Sequence, residues 1–319
     1  NIVNLFELRQ ILWYNTLENC FRKQQYCQTI MEVNKSLKIC VAGLGLIGGS
    51  MCMALRRAGF SPAGWNRSFA PLEYALKEGA ISFAAQNFDE FDVVFVALPP
   101  KAAVGFINSH AFKNGAVVAD ICGVKGYIER EVYKKKRNFC YVGTHPMAGK
   151  EVSTIRNACA DLFDRASMVI TSCAQTDAGA KELVKELTRA MGFKCIVECS
   201  AAVHDKKIAY TSQLAHIVSN AYVKDEEIVS CLGFTGGSFQ DMTRIAGVDE
   251  GVWSELYLLN RENLSARIGG LVANLAEIKS ALDGGSEEEL RNVLKAGRER
   301  FMQSKERAQS GGISVTNLK

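Results

Sequence analysis

Proline is scarce and lopsided in this chain: five occur in 319 residues, and all lie at or before Pro146. Proline breaks helices, so everything after that point is open to long, uninterrupted ones. Histidine is scarcer still, with four in all, so candidates for a histidine base are few. No stretch of about 18 apolar residues exists that would cross a bilayer as a helix. The 11 cysteines form no CxxC pair and no zinc-like spacing, so no metal site is expected. Several of them, such as Cys40, Cys52 and Cys195, fall in apolar patterns, where a thiol behaves as a small hydrophobe. The net charge of +4 is small and dispersed, which argues against a nucleic-acid partner and leaves anionic small molecules open. With nothing resembling a secretion signal, the expectation is a soluble, cytoplasmic protein with no membrane partner.

What is present begins with LKICVAGLGLIGGS at 37–50. A short apolar run leads into Gly43, Gly45 and Gly48, and an apolar, glycine-free stretch follows at 51–55. Gly43 permits a tight turn, Gly45 lets the backbone approach a pyrophosphate, and Gly48 lets a helix pack close to its strand. The helix N-terminus, with Leu46 and Ile47 in its first turn, then faces the anion. A GxGxxG alone is common; here the strand before it and the helix after it both read correctly. This is a dinucleotide site.

At 319 residues, 48% hydrophobic and 23% charged, the chain is long enough for one large or two ordinary domains with a real core. Residues 1–30 mix Trp13, Phe21 and two cysteines without clean periodicity, and Met31 opens the segment leading into the dinucleotide strand. Residues 1–36 therefore read as an extension, with translation starting at Met31; the plainer alternative is a packed helix around LFELRQIL. Strands and helices alternate through 37–200: strands near 65, at 92–100, 115–120, 139–143, 167–171 and 194–199, and helices at about 71–79, after Lys101, from Lys125 and at 177–191. That alternation predicts an α/β, Rossmann-type doubly wound parallel sheet. Asn66, Leu98, Pro99, Asp120 and His145 fall at strand C-termini, where such sheets bind ligands. Residues 201–310 read as an all-helical domain with helices at 202–223, 225–232, 249–282 and 286–309, followed by a frayed tail at 311–319.

The second strand ends in Gly64-Trp65-Asn66-Arg67-Ser68, and no Asp or Glu lies between Gly43 and Glu73. NAD sites commonly place an acid there for the ribose 2′-hydroxyl. Arg67 and Ser68 instead suit a 2′-phosphate, so NADP is favoured, with NAD as the second choice. The bland alternative is a solvated arginine in a polar turn.

Among the histidines, His110 ends a surface helix. His145, in GTHPMAGKE, sits opposite the cofactor turn and is placed to take a proton from a substrate hydroxyl; a loop-capping role is the alternative. In HDKKIAYTSQLAHIVSN, Asp205, Ser212 and His216 fall within about 40° of one stripe of an ideal helix, which suggests a lined cleft. A solvated face would look the same. Arg244, with Asp241 one turn earlier in GFTGGSFQDMTRIAG, is a candidate carboxylate clamp, against the alternative of a surface ion pair.

Taken in order, GLGLIGGS, DICGVK, GTHPMAGKE, HDKKIAYTSQLAH and GGSFQDMTRIA followed by Trp253 resemble the prephenate/arogenate dehydrogenase family over about residues 37–310. The resemblance implies oxidative decarboxylation of a cyclohexadienyl substrate on the route to tyrosine, with hydride passing to the dinucleotide. It implies that His145 polarises or deprotonates the ring hydroxyl, that Arg244 grips the ring carboxylate, and that Ser212 and His216 line the pocket. Glu151, Asp205 and Asp241 would form a supporting ionic network, and the helical domain would pair two copies into a homodimer.

One position departs from the family's pattern. Many members carry a serine near the histidine in a DxxSVK segment, where this chain has Gly123, so water or Cys122 would have to replace the hydroxyl. The alternatives are a β-hydroxyacid dehydrogenase, whose family uses a catalytic lysine in the helical region, and a catalytically silent NADP-binding sensor.

Overall fold

The computed structural model describes residues 34–309 apart from Glu151. The expectations for residues 1–30, Met31 and the tail lie outside these. Asn1–Ser36 and Leu37–Lys319 are separate units, and the fold below is that of the second.

Seven strands form one sheet in the order β2-β1-β3-β4-β5-β6-β7. They are β1 (Ile39–Ala42), β2 (Ala63–Trp65), β3 (Val93–Val96), β4 (Val117–Asp120), β5 (Cys140–Pro146), β6 (Ser167–Thr171) and β7 (Cys195–Cys199). Helices α1 (Leu46–Arg57), α2 (Phe69–Lys77), α3 (Pro100–Ser109), α4 (Gly126–Tyr133) and α5 (Ala178–Ala190) connect them. β1, β3 and β4 are buried along their whole length, which is why ICVA, VVFV and VVAD read as unbroken apolar runs rather than alternating ones. Under them Phe88, Phe106, Phe112, Val94, Val118 and Ile128 share one core.

The sheet is not parallel throughout. β5 and β6 pair antiparallel, with His145 opposite Val169. That pairing carries β5 on to Pro146, three residues past its expected end, so His145 lies inside a strand and not in the loop after one.

The helical region also departs from the reading in places. α6 (Ala201–Ile208) runs through a π turn at Ala209–Gln213 into α7 (Leu214–Tyr222). Residues 225–232 hold only a 3₁₀ turn, Glu226–Val229. A short α8 (Gly237–Thr243) precedes α9 (Glu250–Leu259) and α10 (Arg261–Asp283), which break at Asn260 where one helix was expected. The last helix is α11 (Glu287–Gln309). Asn260 has a reason to interrupt: buried, it donates from Nδ2 to the Asp205 carbonyl (2.9 Å) and to Gln213 Oε1 (2.8 Å), bracing the π turn.

Candidate active site

Strand order reverses between β1 and β3, the point at which open α/β sheets bind ligands. Gly43 follows β1 at φ +105°, and a Cβ there would lie 2.2 Å from the Ala97 carbonyl oxygen. At Gly48 a Cβ would lie 1.9 Å from the Gly43 carbonyl oxygen, so strand, turn and helix require glycine at both places. Gly45 is different: it is exposed and open on its Cβ side. It is the extended N-cap of α1, with no capping side chain and no acid in the first turn. The first N–H groups of α1, at Leu46 and Ile47, thus belong to a cradle suited to an anionic group. Asn66 fixes the neighbouring turn, its Oδ1 accepting from Leu44 N (3.0 Å) and its Nδ2 donating to Ser68 Oγ (3.0 Å). Arg67 and Ser68 stand exposed at the end of β2, while Leu98 and Pro99 follow β3 on the other side of the switch. These residues fit a dinucleotide.

His145 is half-buried on β5, with β3 and β4 between it and the glycine turn. Its Nδ1 is 2.9 Å from His204 Nε2, and His204 Nδ1 is 2.8 Å from Asp205 Oδ1. Asp205 in turn accepts from Lys125 N (2.8 Å) and Gly126 N (2.9 Å) at the start of α4. Burial, then His204, then Lys125 hold the His145 imidazole well below the ordinary histidine range. Nε2 faces residue 123, where a Cβ would lie 3.7 Å from it and 3.5 Å from Leu256 of α9. Cys122 does not stand in for the missing serine: its thiol is buried and turned toward the Leu98 carbonyl (3.2 Å).

Beneath this array lies a charged cluster. Lys125 and Asp120 form an ion pair with both side chains 0% exposed. The Lys125 ammonium also donates to the Thr144 carbonyl (2.5 Å), and the Tyr141 hydroxyl donates to Asp120 Oδ2 (2.6 Å). Sequence reasoning missed His204 and Lys125. Lys125 stood in the DICGVK motif and His204 beside Asp205, but each also has a partner on β5, Thr144 for Lys125 and His145 for His204, that only the fold brings close.

The expected stripe of Asp205, Ser212 and His216 does not survive. A π turn inserts about one residue and turns the helix beyond it by about 100°. Asp205 therefore faces α4, Ser212 is half-buried within the turn, and His216 stacks on Trp253 at 3.9 Å between ring centroids. His216 Nδ1 also contacts the Ile245 carbonyl (3.0 Å), beside Arg244 at the C-terminal cap of α8. Asp241 is exposed on α8, and Glu151 lies outside the described residues. The helical region is tied to the cleft by Glu255, whose Oε1 accepts from Lys101 N (2.7 Å) at the start of α3.

A glycine turn at the switch point, with a half-buried histidine facing a helical lobe, defines a nicotinamide-dependent dehydrogenase. Residues 51–197 match the family described as prephenate dehydrogenase, nucleotide-binding domain, and residues 200–296 match prephenate dehydrogenase, dimerization domain. The chain belongs to the prephenate dehydrogenase family. It is 27% identical over 279 residues to a prephenate dehydrogenase of Bacillus subtilis, covering 82% of this chain and 74% of that protein. With a prephenate dehydrogenase of Lactococcus lactis it shares 29% over 259 residues, 76% and 70% of the two chains. A solved prephenate dehydrogenase from A. aeolicus, in complex with hydroxyphenyl propionate and NAD⁺, superposes with a TM-score of 0.73 at 27% identity, covering 84% and 98%. Membership of this family sets aside the β-hydroxyacid and silent-sensor alternatives.

Proposed function

We propose that this enzyme oxidatively decarboxylates prephenate or arogenate, with His145 as base and NADP as the preferred dinucleotide. The observation that carries the reading is His145 Nε2, held beside Gly123 and Leu256 with the opposite ring nitrogen occupied by His204. Gly43, Gly45 and Gly48 would hold the pyrophosphate of the dinucleotide, whose nicotinamide would supply the hydride acceptor. The protein's share is modest, because aromatisation of the ring drives loss of CO₂. His145 takes the hydroxyl proton, Arg244 holds the ring carboxylate, and Ser212 and His216 line the pocket. Asp205 supports His145 through His204, and Glu151 and Asp241 belong to the surrounding ionic network. Steady-state assays with both substrates and both dinucleotides test this directly. Turnover on a cyclohexadienyl substrate, with kcat/KM higher for NADP than for NAD, is expected. No turnover on either substrate removes the reading, and a higher value with NAD removes the role of Arg67 and Ser68.

Arg244→Gln is expected mainly to raise KM. The clamp engages a carboxylate present before chemistry, and loss of one charge-assisted contact costs about 1.5–3 kcal/mol. Some fall in kcat follows as well, since that group departs in the reaction. An unchanged KM counts against the clamp.

The helical region supports a homodimer. On α10 one stripe, Leu264, Ile268, Leu271, Ile278 and Ala281, is covered or half-covered within the chain. A second stripe, Val272, Leu275 and Leu282, is 56–58% exposed, and Leu294 and Phe301 on α11 repeat its seven-residue spacing at 56% and 57%. A single chain leaves this seam in water; a second copy covers it, as obligate interfaces do. Light scattering at micromolar concentration should give twice 35.0 kDa, and a stable, active monomer refutes the pairing.

A further inference from the structure

We propose that His204 is a positioning residue which, backed by Asp205, fixes His145 as the Nδ1–H tautomer and leaves Nε2 bare toward the substrate. The inference rests on the proposed role of His145 as base. It follows from counting donors along one chain of contacts. Both oxygens of Asp205 accept from backbone N–H groups, Oδ1 from Lys125 and Oδ2 from Gly126, so the carboxylate meets His204 as an acceptor. His204 Nδ1, 2.8 Å from Oδ1, is therefore the donor. A neutral imidazole has one donor and one acceptor nitrogen, so His204 Nε2 accepts, and the hydrogen at 2.9 Å belongs to His145 Nδ1. His145 Nε2 then carries the lone pair, on the side open to residue 123 and Leu256.

The surroundings keep both rings neutral. Burial lowers both imidazoles, and the nearby Lys125 ammonium lowers them further, against the Asp205 carboxylate, which holds His204 up. The Lys125 ammonium donates to Asp120 and the Thr144 carbonyl, while the contact at His145 Nδ1 is with His204 Nε2. A reversed chain, or a protonated His204, would place a hydrogen on His145 Nε2 and leave no base. In the forward arrangement the substrate O–H bond breaks as the Nε2–H bond forms. The resulting imidazolium keeps its Nδ1–H bond to His204, with the Asp205 carboxylate behind it.

Four histidines in the chain make the test tractable. In the ¹⁵N-histidine-labelled full-length enzyme near neutral pH, without substrate, His145 should show a protonated Nδ1 and a bare Nε2. A protonated Nε2 overturns the proposal whatever the enzyme turns over, so its failure is separable from failure of the substrate assignment. His204→Leu removes the acceptor and is expected to lower kcat at least about tenfold, with KM changed less than about threefold. His204→Gln, whose amide oxygen can accept from Nδ1–H, should recover most of that loss. Equal kcat losses in the two variants, or a loss confined to KM, assign His204 a packing role only and overturn the proposal.

Discussion

His145→Asn is expected to lower kcat by at least about 10²-fold, since general-base assistance is worth about 10²–10⁴. Dinucleotide affinity should be nearly unchanged, because the cradle is built at Gly43–Gly48 on the C-terminal end of β1, while His145 lies on β5 with β3 and β4 between them. The pH profile of the native enzyme carries the same information. A base works when deprotonated, and burial with His204 and Lys125 alongside pushes the His145 value well below the ordinary 6.5. kcat/KM, which reports the free enzyme, should therefore stay level as pH falls through 6.5 and decline only further into acid. The groups that face His145 and its partner are His204, Lys125, Asp205 and Asp120, and no other ionisation is needed to account for the limb. Near-native turnover in the asparagine variant removes His145 from its role, and an acidic limb at or above 6.5 contradicts the depressing effect of its surroundings.

The dinucleotide half of the site was legible because its signal is local. Gly43, Gly45 and Gly48 sit within six residues, and the constraints on Gly43 and Gly48 are contacts with the turn's own backbone and with Ala97. β1, β3 and β4 were legible for a similar reason: a strand covered on both faces must be apolar along its length. The reversal at β6 was not. Nothing in residues 147–166 distinguishes a crossover from a return, and the strand that results, SMVIT, is equally apolar in either direction. The π turn was invisible too, since one extra residue leaves the apolar spacing on both sides intact while rotating Asp205 away from His216. Asn260 offered a signal that could have been used. It is an asparagine in an otherwise apolar stretch, LYLLN, and its buried amide bonds show that it was placed for the break. The His145–His204 pair spans 59 residues of sequence, and only the fold brings it together.

Lys125→Met should be the most damaging of the folding variants. Removing one member of a buried pair strands the other charge without solvent, a loss of about 3–5 kcal/mol. Here Asp120 would keep neutral donors such as Tyr141 and Cys122 N but no countercharge at hydrogen-bond distance, and the Thr144 carbonyl would lose its ammonium, so the strand carrying His145 loosens with the core. An exposed pair gives the contrast. Lys279 and Asp283, four residues apart on α10 with side chains 73% and 64% exposed, form a salt bridge whose loss in Lys279→Met costs at most about 0.5 kcal/mol. Urea unfolding at fixed protein concentration measures both. Adding Asp120→Asn to Lys125→Met tests the cause, because a neutral amide can still accept from Cys122 N through its oxygen and donate from its nitrogen to the Tyr141 hydroxyl oxygen, without leaving a buried charge. The double variant should be more stable than Lys125→Met alone. If Lys125→Met unfolds within about 1 kcal/mol of the native enzyme, or if the second change makes matters worse, the cluster is held by packing rather than by its charges.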